Sequence, residues 1–152
     1  MDIAAHMQKY RRFDDARQRL DPMEDFDLWY WAISSAGAAL LNAALHKLGV
    51  TRENRYFATQ VPDVYAVADA QGSSWRYELA SGCDLIHANI PQVPDMPAQL
   101  APGFEAMDAI ERFRTPCIRG EHPLTPELLR SFEQAYAAVR RVAGAALQEE
   151  LA

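Results

Sequence analysis

A chain of 152 residues is the size of one domain, and 49% hydrophobic with 24% charged residues is the balance of a folded globular protein, which excludes a wholly disordered chain. A net charge of −6 argues against broad, nonspecific binding of duplex DNA through a basic face. Cys83 and Cys117 lack metal-type spacing and read as reduced thiols, and residues 1–20 are charged throughout, unlike a signal peptide, so a cytoplasmic setting is the expectation.

Residues 2–20 predict a first helix. Ile3, Met7, Tyr10, Phe13 and Leu20 form its apolar stripe, with Lys9, Arg11, Arg12, Asp14, Asp15, Arg17 and Arg19 mostly outside it. A short break at Asp21-Pro22 predicts an antiparallel pair with the next helix. That second helix, Asp21 to Gly49, is the strongest helical signal in the chain. Asp21 is placed as N-cap, Pro22 at the first helical position, Glu24 as the capping-box partner and Gly49 just past the end. About 27 helical residues would span about 40 Å.

Two surfaces are predicted on this helix. Phe26, Trp29, Tyr30, Ile33, Gly37, Leu40, Leu41, Ala44 and Leu48 line a core face. Leu28, Trp31, Ser35, Asn42 and His46 line a second, mixed face, to be covered by another part of the chain or by a second copy, so Trp31 and Asn42 are candidate binding residues. The small block Ser34–Ala39 should admit a close neighbouring helix. Asp25, Asp27, Asn42, His46 and Lys47 interrupt any membrane span, and no membrane association is expected.

Residues 50–101 read as an irregular insertion. Thr51 is expected to cap a short helix through Arg55 and Phe57. The β-prone runs Val64–Ala68 and Trp75–Leu79 flank Gln71–Ser74, as in a small β-hairpin, and Pro91, Pro94, Pro97 and Pro102 predict a stiff, extended stretch. A third helix is predicted from about Pro102 to Arg114, with Phe104, Met107, Ile110 and Phe113 buried and Pro116 stopping it. After a loop, Thr125 caps a last helix with Pro126 at its first position; Leu129, Phe132, Tyr136, Val139, Ala143 and Leu147 form its core stripe. The fold class that follows is mainly α: a single domain over 1–152, a four-helix bundle with the insertion between helices two and three.

The chain has no Gly-rich phosphate loop, nucleophile elbow or zinc-finger spacing, and no cofactor is expected. His46, Asp84 and His87 are the residue types of a metal site, although His46 also suits a helix C-terminus. Arg112, Arg114, Arg119, Glu121 and His122 gather before a helix N-terminus, a place that suits a phosphate of RNA or a nucleotide. There His122 could act as general acid or base while Arg119 stabilises developing charge. The alternative pairs the arginines with Glu105, Glu111 or Glu121 as surface ion pairs.

Arg119-Gly120-Glu121-His122 ahead of PLTPELLRSFEQAYAAVRRVAGAAL, together with the helical plan, resembles HEPN domains. These are small helical proteins, often dimers, that include RNases of toxin–antitoxin systems and inactive nucleotide-binding relatives. The resemblance implies a catalytic pair of Arg119 and His122. Two residues separate the pair where the family has a longer spacing, Gly follows the Arg and Pro123 follows the His, which puts cleavage itself in question. The residues alone support a binding or interaction protein acting as a homodimer; an RNase or nucleotide-binding role and a metal-dependent bundle enzyme are the alternatives.

Overall fold

A computed structural model describes residues 1–51, 57–58, 64–68, 75–79, 96–149 and 151. The chain is mainly helical. The long helices are α1 (Ile3–Arg17), α2 (Phe26–Lys47), α3 (Ala101–Glu111) and α5 (Pro126–Leu147), with a five-residue α4 (Arg114–Ile118) between α3 and α5. Strands β1 (Phe57–Ala58), β2 (Val64–Ala68) and β3 (Trp75–Leu79) pair antiparallel in that order. Residues 69–74, Arg55, Pro91 and Pro94 lie outside the described residues.

α2 is the axis of the core. α1 and α5 pack along it, and α3 packs against both α2 and α5. By length and composition α2 could cross a bilayer, but 89% of its apolar window is buried within the protein. Seventeen of its residues are buried, from Trp29 to His46. Gly37 lets α3 approach closely: a Cβ there would lie 2.7 Å from the Met107 Sδ and 3.8 Å from a Val139 methyl. This is where the small-residue block meets its neighbours.

The start of α2 differs from the sequence expectation. Asp21 does not cap the helix. Its carboxylate accepts from the backbone N–H of Met23 at 2.8 Å and of Glu24 at 3.3 Å, capping a separate turn. Asp25, not Glu24, reaches back to the Asp21 N–H at 3.2 Å, and α2 begins at Phe26. The far end is as expected. Gly49, at φ +73°, supplies the left-handed residue; Gly49 N–H donates to the His46 carbonyl and Val50 N–H to the Leu45 carbonyl, at 3.1 and 3.0 Å. That pair of bonds satisfies carbonyls the helix leaves open.

α1 is shorter than predicted, with Asp2 as N-cap. Asp14 and Arg17 turn inward. Asp14 is 5% exposed and accepts from Arg17 Nε, Gln18 Nε2 and the Tyr136 hydroxyl, each at 3.0 Å. Arg17 also holds both carboxylate oxygens of Glu133, at 2.9 and 3.1 Å, and stacks over the Tyr136 ring. The arrangement clamps α1 to α5.

α5 follows its predicted stripe: Leu129, Phe132, Tyr136, Val139, Ala143 and Leu147 are all buried. The Thr125 hydroxyl accepts from Leu128 N–H at 3.2 Å with Pro126 at the first position. α3 ends at Glu111, and Pro116 does not stop it. Pro116 instead lies in the first turn of α4, where its missing N–H leaves no helical bond unmade. Phe57 lies in β1, not in a helix. Thr51, expected to cap that helix, places its hydroxyl 3.0 Å from His46 Nδ1.

Candidate functional site

The second face of α2 is divided. Ser35, Asn42 and His46 are buried, whereas Leu28 is 63% and Trp31 45% exposed. Asn42 donates its amide to the Ala38 carbonyl one turn back, at 2.9 Å, so it is a core residue and not a surface contact. The His46 ring lies 5.2 Å from that of His6 on α1. The antiparallel α1–α2 pairing thus reaches the C-terminal part of this face and leaves Leu28 and Trp31, one turn apart, at the surface. Met23, in the turn just before α2, is 49% exposed.

Behind Leu28 and Trp31 the helix is anchored by aromatic side chains. Phe26, Trp29 and Tyr30 each meet Phe132 of α5, with ring centroids 6.1 to 6.4 Å apart. Phe113 joins them, 6.0 Å from Phe132, and its ring meets His122 edge-on at 5.3 Å. The basic loop and the N-terminal part of α2, 70 or more residues apart in sequence, therefore share one end of the molecule.

Within the loop the members of the expected cluster differ in burial and in partner. Arg112 pairs with Asp108 at 2.7 Å, both well exposed, rather than with Glu105, Glu111 or Glu121. Arg114 is half-buried and acts on Glu111 and Tyr30. Arg119 and His122 are both exposed. Gly120, at φ +71°, ends α4: its N–H donates to the Cys117 carbonyl and the Glu121 N–H to that of Pro116. The glycine after Arg119 is therefore a helix stop. His122 Nδ1 lies 3.0 Å from the Pro123 carbonyl. A carbonyl only accepts, so Nδ1 carries a proton and donates in this contact, leaving Nε2 as the ring nitrogen that does not face Pro123.

The N-terminus of α5 already carries an anion. The Glu127 carboxyl is held below its usual range, first by its own backbone N–H and then by Arg130, which it meets at 2.7 Å. A negative side chain at this end offsets the helix dipole that an external phosphate would use. Among the described residues no group of three or more His, Cys, Asp or Glu is placed to hold a metal ion. Asp84 and His87 lie outside the described residues.

One polar group here escapes a sequence reading. Both oxygens of Glu111 are covered and make no hydrogen bond among the described residues, and the same holds for Ser34 Oγ. Burial pushes the Glu111 carboxyl up to about 7, against weaker opposing effects from Ser34, Arg114 and Tyr30. Tyr30 donates its hydroxyl to the Ile110 carbonyl at 3.1 Å, and its phenol is raised, first by burial and then by Glu111. The spacing of Phe104, Met107 and Glu111 was the available signal, since i, i+3, i+7 places Glu111 on the core stripe.

No protein family, curated protein or solved structure matches the chain.

Proposed function

We propose that this chain is an interaction protein: a four-helix bundle of α1, α2, α3 and α5 with a hairpin-bearing insertion, acting as a homodimer through the N-terminal part of α2. One observation carries the reading. Leu28 and Trp31 stand 63% and 45% exposed on a helix that is otherwise almost wholly buried. Trp is the residue most enriched at the energetic centre of interfaces, and a rigid helix with aromatic anchors behind it holds such a side chain in place. A two-fold pairing whose axis passes through the Leu28–Trp31 patch would set Leu28 near its own copy. Mild oxidation of a Leu28→Cys variant, in a Cys83→Ser/Cys117→Ser background, should give a covalent dimer. A yield no higher than that of Arg141→Cys, exposed on α5, would count against the pairing.

A second reading, the HEPN-like RNase or nucleotide-binding protein, is favoured by Arg119 and His122 alone: both are exposed, and His122 is oriented by Phe113 and the Pro123 carbonyl. RNA cleavage compared between the parent and His122→Ala tests it. Equal, background-level cleavage removes the catalytic form of that reading.

A further inference from the structure

Glu111 occupies a costly position. Both oxygens are covered and make no hydrogen bond among the described residues, and the Ser34 and Tyr30 hydroxyls and Arg114 offset the burial only in part, so the site favours the neutral acid. It is the last residue of α3, and only Arg112 and Phe113 separate it from α4. The groups facing it come from each neighbouring element. α2 supplies the Ser34 and Tyr30 hydroxyls, α4 supplies Arg114 and, beside Tyr30, Cys117, and its own helix supplies Asp108. α5 presents the apolar Phe132 against Tyr30. Arg114 is thus the cation that acts on this carboxyl, and it is the first residue of α4.

We propose that Glu111 is a proton-operated latch on α4: as the neutral acid it stays buried between α2 and α4, and on losing its proton to solvent the carboxylate turns out toward Arg114, loosening α4 and the Arg119–His122 turn. The two states need no ligand, only a bistable side chain. Arg114, half-buried when closed, becomes the partner of the open state.

Amide hydrogen exchange of residues 112–124 in the intact protein reads the latch directly. After correction for intrinsic exchange rates, protection of this segment should fall as pH rises from 6 to 8.5 in the parent. It should stay level in Glu111→Gln, which holds the neutral shape. Should that variant fold poorly, Glu111→Leu makes the same comparison with an apolar side chain. Constant protection in the parent, or an equal fall in a folded variant, overturns the proposal.

Discussion

The Tyr136 hydroxyl of α5 donates to Asp14 of α1 at 3.0 Å, across 122 residues of sequence. Burial is the largest cause that raises the Tyr136 phenol, and Asp14 adds to it, so the hydroxyl keeps its proton and remains a donor at any ordinary pH. Tyr136→Phe should cost about 1 kcal/mol, the net worth of one hydrogen bond. Asp14→Ala should cost more, about 3–5 kcal/mol, since it strips Arg17, Gln18 and Tyr136 of their shared acceptor in a buried setting. At about 2–4 °C per kcal/mol for a chain of this size, thermal unfolding separates the two variants readily.

Glu111 gives the stability of the fold an unusual dependence on pH. Its carboxyl lies at about 7 when folded against an ordinary 4.5. A raised folded-state value means the native state binds the extra proton, so this contribution is complete below about 4.5 and is lost as pH rises to about 7. Glu111→Gln should remove that descent. Its gain over the parent at pH 8, relative to pH 4.5, should be on the order of 1–2 kcal/mol after allowance for the solvent that reaches the residue. Denaturant unfolding of both proteins at the two pH values checks it.

Gly37 separates size from helix propensity. Ala there gains roughly 1 kcal/mol of propensity, while its methyl displaces only the flexible end of Met107. Gly37→Ala should therefore be nearly neutral. Gly37→Leu must move Met107 and Val139 together and should lose roughly 1–3 kcal/mol or more, read as a lower denaturant midpoint.

Gln148 ends α5 in the left-handed conformation, at φ +60°, with Glu149 N–H donating to the Gly144 carbonyl at 3.0 Å. A non-glycine residue is strained there, by roughly 1 kcal/mol or more. Gln148→Gly should raise the melting temperature by a few degrees.

Where one helix carried its own information, the sequence was readable. The α5 stripe is regular, Thr125-Pro126 is an unambiguous start, and Gly49 an unambiguous stop. Asp21-Pro22 was also a good start signal, but it caps a turn of its own and α2 begins four residues after Pro22. The inward-facing Asp14, Arg17 and Glu111 were harder. Asp14 and Arg17 pair locally at i, i+3, but Tyr136 and Glu133 reach them from α5, and the groups around Glu111 come from α2 and α4, which the spacing within one helix does not specify. Of the candidate site, Leu28 and Trp31 were legible as a second face, and Asn42 and His46 looked identical to them. Among the described residues α1 and Thr51 lie against the C-terminal part of that face, at His46, which nothing local to α2 announces. Arg112 was legible as basic surface, yet its pairing with Asp108 follows the i, i+4 geometry of one helix rather than any anion site.

Sedimentation equilibrium of the parent beside Trp31→Glu tests the central claim most directly. A charge in the middle of an apolar interface cannot be buried unpaired. The parent should sediment at twice the 17.1 kDa chain mass at micromolar concentration, and a folded Trp31→Glu at the chain mass. A parent that remains at 17.1 kDa at every concentration, or a variant that stays fully dimeric, would contradict pairing through this end of α2.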